Sequence, residues 1–316
     1  MDYNSFINRM QIYLESLKAH EVKEFIKALS LIDKAVQKTL ATDELTDISP
    51  RKFALILNDL EDELKDEMVL LTKAFYESSQ AIADYAYTAE SKYLGVSIGT
   101  LALKDTPMAS FGGALVTEVL KSFETNESQR IINAIRLARH QGKTNSQIRQ
   151  IILGTKARRY QDGITNVTKR HANAIVRTVV QHEASQARGE LAKELGIDEI
   201  KVVATLDGRT SSICRSLDGQ ILPLSQKPPY HVNCRTSYIL WNGKDVKTRA
   251  SMHGVVQNQT YYEWLATQDD KFQDFVLGKE RAKLFRDGGL SPKQFSDLQL
   301  DKNFKPRTLD EIRAMI

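Results

Sequence analysis

Residues 49–75 read SPRKFALILNDLEDELKDEMVLLTKAF. Ser49 predicts an N-cap and Pro50 predicts the first helical position, because proline lacks the N–H that would be unpaired there. Apolar residues then return every three or four positions, which is the period of a helix with one apolar face. The stretch therefore predicts one long helix beginning at Pro50. Its apolar positions are Phe53, Leu57, Leu60, Leu64, Met68, Leu71 and Phe75.

The same spacing continues upstream over residues 6–40, with one break in phase near His20. At about 1.5 Å per residue, helices of roughly 35 to 40 residues would be about 55 Å long, which suits an arm or a hairpin. We therefore expect a long helical arm or hairpin over residues 1–100. Its apolar stripe would either stay partly exposed and take a partner helix, or be buried between the two helices of the hairpin.

Glycine and proline interrupt the helical pattern after this region, which predicts a connector over residues 101–125. Asn126 with Gln129 three residues later resembles a capping box, and it predicts a helix that ends at Gly142. The segment after the connector therefore begins with a helix.

A second capping box, Thr144 with Gln147, predicts a short helix that ends at Gly154. These two successive helices are a weak match to a helix-turn-helix, since capped helices often follow one another. A longer helix is expected from Thr168 to Leu195, because Gly196 stops the pattern.

Residues 200–206, IKVVATL, have the β-branched content of a strand, and shorter strands are expected at 220–222 and 235–240. The segment 126–250 is therefore predicted to be an α+β domain. Residues 251–316 return to short helices, with boundaries predicted at Gly278, at Ser291–Pro292 and at the capping box of Thr308 with Glu311. The predicted fold class is mainly α with an α+β domain: a long N-terminal helical arm or hairpin, a small mixed domain and short C-terminal helices.

Composition and motifs limit the class of protein. The 316 residues, 41% of them apolar, suffice for about two domains with sizeable cores. No apolar run reaches the roughly 18 residues of a membrane span, and an acidic second residue without a following apolar segment predicts no secretory signal. Phosphate-binding glycine loops, the zinc-protease helix motif and the serine-hydrolase elbow are absent from the sequence, so we expect no enzyme.

The net charge of +4 is unevenly distributed. Residues 1–100 carry 11 Lys and Arg against 17 Asp and Glu, net −6, whereas residues 101–250 carry 23 against 13, net +10. Seven basic residues fall between positions 149 and 177, with Asp162 as the only acid and Tyr160 beside two arginines. Such a segment can bind DNA phosphates and offer a stacking face; the alternatives are a solvated basic face or a docking site for an acidic protein surface. The seven residues are Arg149, Lys156, Arg158, Arg159, Lys169, Arg170 and Arg177.

The most informative segment is 207–238, DGRTSSICRSLDGQILPLSQKPPYHVNCRTSY. Cys214, His231 and Cys234 are residue types that bind zinc, and the H-x-x-C spacing lets two of them reach one ion from a tight turn. The alternatives are two buried thiols with His231 hydrogen-bonded in the turn, or a disulfide, which a reducing compartment disfavours. A structural zinc takes four ligands, and the fourth would be a water, Asp207, Asp218 or His182.

The remaining polar residues of this segment have the composition of a compact loop. Asp-Gly pairs at 207–208 and 218–219 favour turns, and Asn233 tolerates turn conformations. Arg235 is expected to form an ion pair with an aspartate of the same loop. The segment can therefore be a structural scaffold with no catalytic role.

Segment 207–238 resembles the head-morphogenesis domain of tailed bacteriophages, the minor head protein family typified by the F protein of phage Mu. The motif of that family resembles D-x-x-T-C-x-x-C, then L-D-G, then P-x-H-P-N-C-R-C. Ser211 and Thr236 stand where the motif has its first and last cysteines, and Val232 replaces a proline. The match extends over about residues 125–245. The positions that fit are Asp207, Thr210, Cys214, Leu217, Asp218, Gly219, Pro229, His231, Asn233, Cys234 and Arg235.

The resemblance implies a minor virion component of the phage head interior, associated with portal or major capsid protein and assembled in the host cytoplasm. It allows a homo-oligomer, a contact with packaged double-stranded DNA, and a protein ejected with that DNA. The competing interpretation is an enzyme, either a metal-dependent hydrolase that uses Cys214, His231 and Cys234 or a relative of prophage toxins.

Overall fold

The computed structural model describes residues 3–97, 99–245 and 247–316, and it is mainly helical with small sheets. The long N-terminal helices, the mixed middle and the short C-terminal helices confirm the predicted fold class. None of the described helices is long and apolar enough to span a membrane. The helices are α1 Tyr3–Ala28, α2 Ser30–Leu40, α3 Pro50–Leu94, α4 Val116–His140, α5 Asn145–Leu153, α6 Ile164–Glu194, α7 Ser212–Leu217, α8 Tyr261–Ala266, α9 Asp270–Leu277, α10 Lys279–Asp287, α11 Pro292–Leu298 and α12 Leu309–Arg313.

Within the described residues, three small antiparallel sheets accompany the helices. The central one has the order β4-β3-β5, with Ile200 of β3 opposite Leu222 of β4 and Leu240 of β5. The other two are the pairs β1–β2 and β6–β7. The sequence predicted the central sheet but not the two hairpin-like pairs. The strands are β1 Pro107–Met108, β2 Ala114–Leu115, β3 Glu199–Val203, β4 Ile221–Pro223, β5 Ser237–Leu240, β6 Thr248–Ser251 and β7 Gly254–Gln257.

By its internal contacts the chain divides into two compact units, and neither is continuous in sequence. Helices α1, α3 and α6 contribute residues to both units, so the units differ from the consecutive segments 1–100, 101–125, 126–250 and 251–316 expected from sequence. Unit 1 comprises Met1–Glu15, Ala83–Ala102 and Ala184–Ile316, and unit 2 comprises Ser16–Ile82 and Leu103–Glu183.

The apolar stripe of α3 lies in the core of unit 2. Leu57, Leu60, Leu64 and Met68 are at most 2% exposed, whereas Phe53 and Leu71 are half-buried, so most of the predicted seam is covered. Helix α4, which the sequence analysis assigned to the following domain, supplies the missing cover. Its Phe123 packs edge-on against Phe25 of α1, which also meets Phe75 of α3.

The change in the phase of the apolar spacing near His20 lies inside an unbroken helix, because α1 continues to Ala28. Lys18 stands four residues after Leu14 and four before Val22, and it is fully buried although it is charged. Its ammonium donates to the side chain of Gln181 on α6. A lysine therefore occupies a core position of the stripe, and the apparent change of phase is a polar residue in an unbroken helix.

Helix α4 begins at Val116, ten residues before the predicted start at Asn126. The Asp105 carboxylate accepts hydrogen bonds from the Val116 and Thr117 backbone N–H groups, at 2.9 and 3.3 Å. Those N–H groups would otherwise lack partners at the helix start. Gln129, which the sequence analysis placed in a capping box, lies inside the helix and bonds the side chain of Glu61.

The other predicted helix limits are closer to the structure. The Thr144–Gln147 capping box is present, and α5 ends at Gly154 as predicted. Helix α6 begins at Ile164, four residues before the predicted Thr168. Thr168 lies inside the helix, and its hydroxyl donates to the buried carboxylate of Glu127 at 2.6 Å.

The C-terminal helices belong to unit 1 together with the central sheet. The predicted boundaries at Gly278, at Ser291–Pro292 and at the capping box of Thr308 with Glu311 are confirmed. A buried aromatic cluster holds these helices together and includes Leu206, which directly precedes the segment 207–238. Its members are Leu206, Tyr261, Tyr262, Trp264, Leu265, Phe285 and Phe295.

Candidate functional site

The segment 207–238 folds between strands β3 and β5 of unit 1. Ser211 is the N-cap of α7, and its hydroxyl accepts from the Cys214 backbone N–H at 3.2 Å. The chain leaves α7 through Gly219 and passes along β4. It then turns at His231–Cys234, where Cys234 N–H donates to His231 O at 3.2 Å. The two cysteines are thus brought together by a helix and a turn 20 residues apart.

The three predicted metal ligands converge on one point. Cys214 Sγ lies 3.6 Å from Cys234 Sγ and 3.1 Å from His231 Nε2. His231 Nδ1 donates to the Val232 carbonyl at 2.8 Å, which leaves the lone pair of the neutral ring on Nε2, the nitrogen that faces the sulfur. We call this group of Cys214, His231 and Cys234 the thiol–imidazole site.

The thiol–imidazole site could hold a metal ion, since its three ligand atoms all lie within 4.8 Å of one another. Two of the predicted fourth ligands, Asp207 and Asp218, are bound to arginines, and His182 bonds Thr106 in unit 2. The Ser211 hydroxyl is 2.7 Å from His231 Nε2. Within the described part of the chain, no carboxylate or second histidine joins the three ligands, so the fourth position falls to Ser211 or a water.

Protonation of the two thiols is unequal. The hydrogen bond from Cys214 lowers the pKa of Cys234 well below the usual thiol range, although burial opposes this, and His231 lowers it further. The hydrogen bond to Cys234, together with burial, raises the pKa of Cys214, and the bond to Cys234 also raises the pKa of His231. Both shifts favour loss of the first proton from Cys234, and the thiolate is the form of cysteine that binds metals.

Arg235 and Asp207 form the ion pair that the sequence predicted. The guanidinium donates two hydrogen bonds to the carboxylate, at 2.7 and 2.8 Å. Thr210 Oγ1 and the Arg209 backbone N–H also donate to Asp207, at 3.1 and 3.0 Å. Partial burial favours a higher pKa for Asp207, but the bonds from Arg235 outweigh it and hold the pKa below its usual value.

Asp218 forms a second and more deeply buried pair, with Arg249. Arg249 Nη1 and Nη2 donate to the two carboxylate oxygens at 2.6 and 2.8 Å, and the side chains are 5% and 0% exposed. The backbone N–H groups of Ala204 and Tyr261 donate to the same carboxylate at 2.7 and 2.6 Å. Asp218 thus joins strand β3, strand β6 and helix α8. Arg249 was not among the residues expected at this site, because nothing within several residues of it signals the pairing.

Gly219 and Asn233 occupy the backbone positions that their residue types suggest. Gly219 has φ of 80°, and a Cβ there would come within 2.9 Å of the Thr260 side chain. Asn233 has φ of 60°, in the left-handed region that asparagine tolerates better than most residues. Both residues allow the backbone conformation of the loop, and we assign neither a catalytic role.

Three of the seven predicted DNA-binding residues line one cavity in unit 2. Arg149, Lys156 and Lys169 surround a volume of about 520 Å³, which we call the basic cavity. Arg158 and Arg159 are exposed in the loop that follows Lys156, and Arg170 is exposed on α6. Arg177 is half-buried on the same helix and has an interaction partner. The residues around the basic cavity are Asp33, Gln37, Ser146, Arg149, Gln150, Leu153, Gly154, Thr155, Lys156, Tyr160 and Lys169.

The loop beside the basic cavity is closed by Asp162, the only acid of that segment. Its carboxylate accepts from the Thr155 backbone N–H at 2.8 Å and from the Thr155 hydroxyl at 2.7 Å. These bonds, the backbone one first, lower the pKa of Asp162. Gly163 lies so close to Leu153 and Gly154 that a Cβ would clash with their backbone. The acid that interrupts the basic segment therefore fixes the shape of its loop.

Comparison of the chain with protein-family models, with curated proteins and with solved structures found no match.

Proposed function

We propose that this chain is a minor head protein of a tailed bacteriophage, which binds portal or major capsid protein during head assembly and acts in genome packaging or ejection. It would be assembled in the host cytoplasm and reside in the head interior. One observation carries the proposal: the motif positions are the groups that build the centre of unit 1. Cys214, Cys234 and His231 meet there, and Asp207 and Asp218 each hold an arginine.

The same geometry supports a scaffold over a hydrolase. Cys214 and Cys234 are 2% and 1% exposed, so a substrate cannot reach the sulfur atoms. Asp207 and Asp218 are committed to arginines and to backbone N–H groups. Catalytic carboxylates need access to a reacting group, and these two serve to join strands and loops.

Zinc is the metal that the thiol–imidazole site fits best. Cysteine sulfur and imidazole nitrogen are the ligands that zinc prefers, and zinc takes four of them in a tetrahedral arrangement, one more than the three present here. The Ser211 hydroxyl or a water would complete that set. Bound zinc would cross-link α7 to the turn before β5, and its binding free energy would add to the stability of unit 1.

The basic surface of unit 2 supports a contact with packaged DNA. Arg158, Arg159 and Arg170 are exposed, and among the residues that the structure describes none of them lies within ion-pair distance of a carboxylate. Uncompensated cations of this kind bind phosphates without regard to sequence and release counterions on binding.

The assembly proposal is tested with particles produced in the presence of the cognate portal and capsid proteins. We expect the chain in purified procapsids that contain portal, and its absence from particles assembled without portal, by mass spectrometry of gradient fractions. Release of DNA from mature virions then shows whether the chain leaves with it.

A matched pair of variants links incorporation to the motif. Arg235→Ala removes the buried partner of Asp207 and should lower incorporation by weakening unit 1. Arg209→Ala removes an 81% exposed arginine beside the same carboxylate and should incorporate normally. Absence of the wild-type chain from portal-containing particles would contradict the proposed function.

A further inference from the structure

The basic cavity is lined by helices α2, α5 and α6 and by the loop that follows α5. Helix α5 contributes Arg149, the loop after α5 contributes Lys156 and Tyr160, and α6 contributes Lys169. Its volume of about 520 Å³ lies within the range of small-ligand sites, which is roughly 300–1,000 Å³. The cavity is therefore large enough for one small organic group in addition to a phosphate.

Positive charge in the basic cavity is only partly compensated. Lys169 Nζ is 3.1 Å from Asp33 Oδ2, so this lysine is held in place and neutralised. Arg149 makes one long contact, 3.5 Å, to the amide oxygen of Gln37. Among the residues that the structure describes, no carboxylate lies within ion-pair distance of Arg149 or Lys156. Two cations therefore remain to attract an anion.

The aromatic ring in the wall of the basic cavity is held by an unusual backbone. Arg159 and Tyr160 both have positive φ, 52° and 59°, which costs a non-glycine residue roughly 1–2 kcal/mol each. The Tyr160 N–H donates to Thr155 O at 2.9 Å, and Asp162 closes the loop from the other side. Tyr160 is nevertheless 56% exposed. The loop thus presents an aromatic face that the protein core does not use.

We propose that the basic cavity binds one nucleoside phosphate unit of single-stranded nucleic acid, with the base stacked on Tyr160 and the phosphate held by Arg149 and Lys156. An aromatic platform beside cations is the arrangement by which proteins bind single strands, because every base has a face that can stack. In a duplex both faces of each base are already stacked, so a duplex can offer the cavity only its phosphates. This inference rests on the proposed DNA contact: the exposed arginines would bind the phosphates of packaged duplex, and the basic cavity would be a separate site for a single-stranded segment.

The test uses the full chain and a labelled oligo(dT) 20-mer, a duplex of the same length, and free thymidine monophosphate as competitor. We expect the wild type to prefer the single strand. Tyr160→Ala should weaken single-strand binding by about 5- to 100-fold, the range for loss of one stacked base, and leave duplex binding unchanged. Tyr160→Phe keeps the stacking face and should bind as the wild type does.

The phosphate contacts have a separate readout. Arg149→Ala with Lys156→Ala should reduce the log–log salt slope of single-strand binding by about 1.4, since each phosphate contact contributes about 0.7. The control Lys271→Ala removes an exposed lysine of unit 1 and should leave the slope unchanged. If free thymidine monophosphate displaced the oligonucleotide completely and bound with the same affinity, the site would be supported. Its ligand would then be the free nucleotide.

Two results would overturn the inference. If Tyr160→Ala bound the single strand as tightly as the wild type does, no base would be stacked on Tyr160. Duplex binding as tight as single-strand binding would also show that the cavity does not recognise a base. The proposed DNA contact would still hold in that case. Failure to bind either DNA form would instead refute the DNA contact itself, and the cavity inference with it.

Discussion

Replacement of Arg249 by methionine is expected to destabilise unit 1 strongly. Arg249 supplies two of the hydrogen bonds that the Asp218 carboxylate accepts, at 2.6 and 2.8 Å, and that carboxylate is fully buried. Methionine keeps much of the apolar stem of the arginine but has no charge. Asp218 would then be a buried anion with only the N–H groups of Ala204 and Tyr261 as partners.

The expected loss follows from the cost of such an unpaired charge. Removal of one partner from a buried ion pair costs about 3–5 kcal/mol. The carbonyls of Gln259 and Ala204, which now accept from Arg249 at 2.6 and 2.7 Å, would also lose a donor, so the upper part of that range applies. For a cooperative unit of this size, a loss of about 4–5 kcal/mol corresponds to a fall in Tm of about 8–20 °C.

The assay is thermal unfolding followed by calorimetry, with Arg209→Met as the control. Arg209 is 81% exposed and 3.7 Å from Asp207, so its loss should cost at most about 1 kcal/mol. Adding Asp218→Asn to the Arg249→Met variant removes the stranded charge and should restore part of the stability. A change in Tm below about 2 °C for Arg249→Met would refute the reasoning. So would a double variant whose loss of stability equals the sum of the losses in the two single variants.

Four further outcomes are expected. The purified protein should contain about one equivalent of zinc at the thiol–imidazole site, and a chelator should lower its Tm; metal-free protein that melts unchanged with chelator would leave two buried thiols. Burial raises the pKa of Glu183 from 4.5 to about 7. Between pH 4.5 and about 7, the native state therefore retains a proton on Glu183 that the unfolded state has lost. The free energy of unfolding should fall as the pH rises through this range. Glu183→Gln should abolish this fall, which amounts to up to about 3 kcal/mol, in urea titrations at a series of pH values. Leu64→Ala should cost about 2–5 kcal/mol in the same assay, because the side chain is fully buried; a loss below 1 kcal/mol would place the stripe at the surface. Arg158→Ala with Arg159→Ala should reduce the log–log salt slope of duplex binding by up to about 1.8, and an unchanged slope would make this surface a protein docking site.

Features that depend on a few neighbouring residues could be predicted from the sequence. Thr144 and Thr308 cap their helices as expected, because the bonds of a capping box span only three residues. The pairing of Arg235 with Asp207 spans 28 residues, and it could be expected because the two residue types occur in one loop-rich segment. The convergence of the two cysteines and His231 was likewise indicated by residue type and spacing.

Features set by distant partners could not be predicted in this way. The start of α4 is fixed by Asp105, eleven residues before Val116, and no local pattern marks that aspartate as a cap. Arg249 reaches Asp218 across 31 residues. Lys18 interrupts the apolar spacing of α1, and its hydrogen bond to Gln181, 163 residues away, helps to explain why a lysine is tolerated in the core. In each case a long-range contact decides what the local sequence leaves open.

The discontinuous composition of the two units determines the order in which they can form during translation. Unit 2 is complete once Glu183 has left the ribosome, whereas unit 1 needs Ala184–Ile316 as well as the earlier segments Met1–Glu15 and Ala83–Ala102. At about 5–20 residues per second, the 133 residues from Ala184 to Ile316 take roughly 7–27 s to synthesise. For that interval the early segments of unit 1, with the apolar Ile7, Met10 and Leu14, stay without their final neighbours. A nascent chain arrested in this window would be the form that chaperones bind.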